Sequence, residues 1–175
     1  MTRWKEHLNE LKPAIPFFFA YDVGGAQEFG VAGAFHTWDL TKIKTSDFTY
    51  TPDTDRIYFN NNTSGFYKIT FNASWHNIED ADDVSTYLYL NGDVLPGSMA
   101  RDFLDTISED EASQSIAYIA YLKKGDYIQV FSITGADTTA STFGNSSRII
   151  IEFIPMLGWN NSNAGKIEYK GGVMR

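Results

Sequence analysis

The sequence predicts an all-β protein, two antiparallel sheets stacked as a sandwich, that assembles with further copies of the same chain. Three observations lead there. About eight to ten short runs rich in Phe, Tyr, Ile, Val and Thr are separated by Gly, Pro, Asn and Asp turns at sandwich or jelly-roll spacing. Two of the turns, Asn91-Gly92 and Lys123-Lys-Gly-Asp126, have the composition of tight hairpins. Four runs, Thr86–Leu90, Ser115–Leu122, Tyr127–Ile133 and Arg148–Ile154, are apolar on both faces. A strand with one face on a core and the other in water alternates instead. In Ser115–Leu122, Ile116, Tyr118, Ala120 and Leu122 share one face, and Ala117, Ile119 and Tyr121 the other. In the last run Ile149, Ile151 and Phe153 oppose Ile150 and Ile154. One face fills the sandwich; the second needs cover, and another copy is the simplest source.

Taken in order, residues 1–15 form an N-terminal arm. Trp4, Leu8 and Leu11 fall at helical spacing, which predicts one short helix ended by Pro13 and too short to stand alone. The domain proper spans residues 16–155. Phe17–Val23 is a strand, followed by a loop carrying Gly24, Gly25, Gly30 and Gly33. Phe48–Tyr50 and Arg56–Phe59 are short strands around the turn Pro52-Asp-Thr-Asp55. Gly65–Trp75 alternates, with Tyr67, Ile69, Phe71 and Ala73 opposite Phe66, Lys68, Thr70 and Asn72. Thr86–Leu90 turns through Asn91-Gly92 into Val94, and Ser115–Leu122 meets Tyr127–Ile133 across Gly125. Gly135–Ser141 reads as a polar loop, and Ser147–Ile154 is a strand stopped by Pro155. Residues 156–175 are a tail rich in Asn and Gly, with a short strand at Lys166–Tyr169.

At 175 residues the chain buries one core without staples. The absence of cysteine excludes a disulfide framework and thiolate-bound zinc. A net charge of -8 with no basic stripe argues against nucleic acid as a partner. Met1–Lys12 is charged and holds no apolar core of a signal peptide, which predicts either synthesis in the cytoplasm or a signal already removed. Pro13–Tyr21 is too short and proline-broken to span a bilayer, so no membrane insertion is expected.

Catalytic and cofactor motifs are not found. His7, His36 and His76 lack the spacing of metal ligands, and no Gly-x-Ser-x-Gly elbow occurs. The glycines from Gly24 to Gly33 lack the Gly-Lys-Ser/Thr ending of a phosphate loop. The expectation is a non-enzyme with no cofactor, calcium being the one ligand that the acidic clusters suggest. Glu79-Asp-Ala-Asp-Asp83 offers Asp80, Asp82 and Asp83 as oxygen ligands; a solvated loop is the plainer reading, as it is for Asp102–Glu111. Trp38, Trp75, Trp159 and the tyrosines would suit sugar stacking, but aromatics in a sandwich more often fill its core.

Four segments, in order, resemble the trimeric jelly-roll family of the globular heads of the complement first component and tumour necrosis factor. They are Thr63-Ser-Gly-Phe-Tyr-Lys-Ile-Thr-Phe71, Ser85-Thr-Tyr-Leu-Tyr-Leu-Asn-Gly92, Ala117-Tyr-Ile-Ala-Tyr-Leu-Lys-Lys-Gly-Asp-Tyr-Ile-Gln-Val130 and Ser141-Thr-Phe-Gly-Asn-Ser-Ser-Arg-Ile-Ile-Ile151. The resemblance covers about Phe17 to Pro155 and implies a homotrimer whose inner sheets pack along a threefold axis. On that basis Tyr87, Tyr89, Tyr118, Tyr121, Phe131 and Ile150 are the expected trimer contacts. Compact size and apolar groups at both ends suggest a virion-surface protein: a phage head fibre, capsid decoration or spike. Trp4, Leu8, Leu11, Trp159 and Tyr169 would anchor it to a capsid or other virion protein, leaving the far surface for a host glycan or protein. The alternative is a secreted or cell-surface recognition module of the complement-head type.

Overall fold

Period-two alternation puts one side of nearly every strand into a shared core. The computed structural model describes residues 15–23, 27–60, 64–79, 83–103, 111–135, 139–143 and 146–155. The expected helix carrying Trp4, Leu8 and Leu11, and the tail with Trp159 and Tyr169, lie outside them.

The strands are β1 (Phe17–Tyr21), β2 (Glu28–Phe29), β3 (Ala34–Phe35), β4 (Leu40–Lys44), β5 (Phe48–Thr51), β6 (Arg56–Phe59) and β7 (Gly65–Glu79). They continue as β8 (Asp83–Leu90), β9 (Asp93–Val94), β10 (Ala100–Phe103), β11 (Glu111–Leu122), β12 (Tyr127–Thr134), β13 (Thr139–Thr142) and β14 (Arg148–Phe153). A single 3₁₀ turn, Pro52–Thr54, links β5 to β6 among the described residues. Every pairing is antiparallel, and the strands form two sheets. In the first, β7 is the spine. One of its edges carries β11, from Gly65↔Leu122 to His76↔Glu111. The other carries β14 and then β13, with β1 and β4 beyond β14 and β2 beyond β13. The second sheet runs β10-β8-β12-β6-β5, with β3 on β12 and β9 on β8. This is the predicted two-sheet jelly roll.

The core lies between the sheets. Phe18, Tyr67, Ile69, Phe71 and Trp75 from the first meet Phe48, Ile57, Phe59, Leu88 and Ile128 from the second, each at most 2% exposed. Asn91 and Gly92 take φ of 56° and 90° between the paired residues Leu90 and Asp93. Positive φ at both central positions matches the twist of the flanking strands, which is why Asn-Gly suits this turn. Buried Asp126 ties that hairpin to the next. Its carboxylate accepts from Asn91 Nδ2 at 2.8 Å and from Lys123 N at 2.9 Å.

Gly65 begins β7 against the ring of Phe153, and a Cβ there would lie 2.6 Å from Phe153 Cε2. Gly65→Ala is therefore expected to destabilise the fold by about 1–3 kcal/mol through overpacking. Differential scanning calorimetry should show most of that loss recovered when Phe153→Leu is added, and equal losses with and without it would refute the contact.

Several strands are absent from the sequence reading. The loop after β1 contains β2 and β3, each two residues long, and β4 follows them. The expected polar loop Gly135–Ser141 gives way to β13, whose Ser141 and Thr142 are fully buried. Hydroxyl side chains met by backbone partners pass as turn residues in a sequence. Finally, β10 is a sheet edge of Ala-Arg-Asp-Phe, and charge on an edge strand hides its apolar pattern.

Candidate functional site

Two uncovered aromatic faces stand on opposite sides of the sandwich, and a buried polar chain joins the sheets between them. The first face belongs to the first sheet. Phe18 and Ala20 point into the core, so Phe17, Phe19 and Tyr21 point out. Register puts Phe19 beside Ile150, Ile150 beside Thr70, and Thr70 beside Ala117. Ile119 and Tyr121 on β11 are 60% and 45% exposed, and the Tyr121 ring meets Phe66 edge-on at 5.3 Å. Lys68 and Glu152 form the ion pair of this face at 3.2 Å. Both are well exposed, so the pair adds little stability.

The second face lies on the second sheet. Phe35, Tyr89 and Phe131 form a triangle with ring separations of 5.1 to 5.6 Å. Tyr87 adjoins Phe131 in register. Gly33 closes over this triangle, because a Cβ there would fall 2.1 Å from Phe131 Cζ. Beside it Tyr58 and Tyr127 pack at 5.5 Å, and the Arg56 guanidinium lies 4.4 Å from the centre of the Tyr127 ring. Arg56 Nη1 donates to the Tyr58 hydroxyl at 3.3 Å.

The expected trimer contacts therefore occupy three places. Tyr121 and Ile150 lie on the first face, while Tyr87, Tyr89 and Phe131 lie on the second. Tyr118 sits on the core side of β11, with its hydroxyl donating to Pro96 O at 3.2 Å. Alternation tells which side chains share one strand's side, not which sheet the strand joins. Phe17, Phe19 and Phe66 complete the first face and were not among the expected contacts; the alternation of Phe17-Phe-Phe-Ala-Tyr21 was the signal for two of them. Trp38 and Trp75 are core side chains, 3% and 0% exposed.

Of the calcium candidates, Asp83 pairs with Arg101, while Asp80 and Asp82 lie outside the described residues. Among the described residues no group of three or more His, Cys, Asp or Glu side chains is placed to hold a metal ion.

The polar chain runs through the core. Gln114 Nε2 donates to Val84 O at 2.7 Å, which orients the amide, and Thr86 Oγ1 donates to Gln114 Oε1 at 2.6 Å. Thr86 Oγ1 must then accept from Ser132 Oγ at 2.7 Å, and Ser132 Oγ from His36 Nε2 at 2.8 Å. The sequence of donors fixes the His36 proton on Nε2 and leaves Nδ1 a buried acceptor without a partner. His36 and Ser132 are fully buried, so this serine–histidine pair meets no substrate.

Burial holds His36 down to a pKa of about 3, from 6.5. The unfolded chain thus binds a proton near pH 6.5 that the folded chain refuses, and stability falls as pH drops through the window from about 6.5 towards 3. The loss is at most about 1.4 kcal/mol per pH unit. Urea midpoints measured between about pH 7 and pH 5 should decline more steeply in the natural protein than in His36→Phe. Parallel slopes would rule out the buried neutral imidazole.

No family model matches the sequence, and no curated protein matches it. Solved structures do. The Eiger TNF of S. frugiperda is 19% identical with a TM-score of 0.57, covering 80% of this chain and 94% of that one. Murine APRIL at pH 5.0 is 12% identical, also with a TM-score of 0.57, over 80% and 99%. Among the described residues no helix is long and apolar enough to cross a membrane. At these identities the likeness speaks for the fold, and the fold is the jelly roll of the tumour necrosis factor type.

Proposed function

We propose that this chain is a non-enzymatic virion-surface protein, a head fibre, capsid decoration or spike, that trimerises through the first sheet's outward face. The observation that carries the reading is that face, where Phe17, Phe19, Phe66, Ile119, Tyr121 and Ile150 stand beside only one ion pair among the described residues. An aromatic and aliphatic surface of this kind fits burial against a second copy. Anchoring is supported by where the chain enters and leaves the domain. Phe17 pairs with Glu152 and Phe153 N donates to Pro16 O at 3.1 Å, so both ends emerge side by side. Residues 1–15 and 156–175 then act as an arm and a tail around the domain 16–155, with Trp4, Leu8, Leu11, Trp159 and Tyr169 gripping a capsid protein. The second sheet's aromatic face remains for host recognition. A secreted or cell-surface recognition module is the competing reading, using the same two faces without the anchor.

Removing residues 1–12 and 158–175 tests the anchor. The shortened chain should still assemble and melt at nearly the same temperature, yet no longer sediment with the parent virions. Failure to assemble would make the ends part of the oligomer's own fold, and the virion reading would fall with the anchor.

A further inference from the structure

We propose that the second sheet's outward face binds an acidic saccharide, with the Arg56 guanidinium pairing to the sugar carboxylate. This rests on the reading of that face as the recognition surface, and it names the ligand's chemistry. Arg56 is held in place from two sides, by the Tyr127 ring beneath it and by the Tyr58 hydroxyl. Its Nε is buried without a hydrogen-bond partner. Among the described residues its guanidinium has no carboxylate within ion-pair distance. A fork of donors fixed on an aromatic ring and lacking an anion is complementary to a carboxylate, which it can bind through two parallel bonds.

The surroundings narrow the ligand further. The pairings Tyr58↔Tyr127 and Ile57↔Ile128, continued by one residue, bring Arg56 level with Gln129, and Gln129 is level with Tyr89. In register, the Arg56 backbone thus lies between the Tyr58–Tyr127 pair and the triangle of Phe35, Tyr89 and Phe131, with its guanidinium over the Tyr127 ring. Strand β12 is hydrogen-bonded to β8 on one side and to β6 and β3 on the other, so a peptide cannot add here as a further strand. Recognition must come from side chains alone. A sugar ring lays its C–H face on an aromatic ring, its hydroxyls meet tyrosine hydroxyls, and a carboxylate completes the arginine. One sialic or uronic acid residue supplies all three.

The test is a titration of the full-length protein with sialyllactose, followed through the tyrosine ring resonances, with lactose and an oligo-glutamate peptide as comparators. Sialyllactose should bind saturably and lactose should not. Arg56→Gln should weaken binding about tenfold or more, since a charge-assisted pair is lost, and Arg56→Lys should restore only part of it. Light scattering on the same samples reads assembly separately. Sugar binding that persists where assembly fails would count against the trimer and not against this site. Equal binding of lactose, no saturable response, a response to oligo-glutamate alone, or an unchanged Arg56→Gln would each overturn the proposal.

Discussion

On the proposed trimer contact, Tyr121→Asp is expected to leave a monomer of 19.7 kDa. In the single chain Tyr121 is 45% exposed and touches Phe66 edge-on, so an aspartate there is solvated and leaves the fold intact. In the proposed assembly the same aspartate would be enclosed among Phe66, Ile119 and their counterparts, and the nearby Lys68 is already paired with Glu152. An unpaired buried charge costs about 3–5 kcal/mol, more than a hundredfold in an association constant for each copy. Tyr118→Asp provides the contrast, because Tyr118 packs against the core and its replacement should lower the melting temperature instead. Light scattering decides: an unchanged mass for Tyr121→Asp would exclude the first face as the contact.

Thr86→Val should cause the largest loss of stability per atom changed. Thr86 is fully buried, donates to Gln114 on the opposite sheet and accepts from Ser132 on its own. Valine fills the same space but leaves the Gln114 carbonyl without a donor and the Ser132 hydroxyl proton without an acceptor. At about 1–3 kcal/mol for each orphaned group, the expected loss is about 2–5 kcal/mol. For a chain of this size that lowers the melting temperature by roughly 5–15 °C. Adding Gln114→Leu removes one orphan and should recover part of the loss. A drop no larger than that of a surface substitution would mean the chain of hydrogen bonds contributes nothing.

What the sequence made legible was whatever depends on one strand and its turns. Alternation in Gly65–Trp75 identified Tyr67, Ile69, Phe71 and Ala73 as one side of β7, and all four are buried. Asn91-Gly92 and Gly125 announced their turns because only a few residues tolerate positive φ. Sheet membership was another matter. Tyr121 and Tyr89 look alike in sequence, yet β11 crosses to the first sheet while β8 stays in the second. The aromatic faces arise from partners far apart along the chain, such as Phe35 with Phe131, and no local pattern encodes that pairing. The buried path from His36 to Gln114 was invisible for the same reason, since its four side chains come from four separate segments.

The pairing of β1 with β14 sets the order in which this protein can be made. Phe18 lies opposite Ile151, so although one edge of the first strand can pair early with β4, its other edge is covered only after nearly the whole domain has left the ribosome. The spine strand β7 likewise waits for β11, β13 and β14, all of which follow it. Most loop closure therefore precedes the contacts that reward it, which slows folding to the millisecond-to-second range typical of sandwiches. Until then the nascent chain carries Phe17-Phe-Phe with one edge open, a segment prone to pairing with its neighbours on the same message. A chaperone holding the first strand should therefore raise the yield of soluble protein more than any change to its final stability.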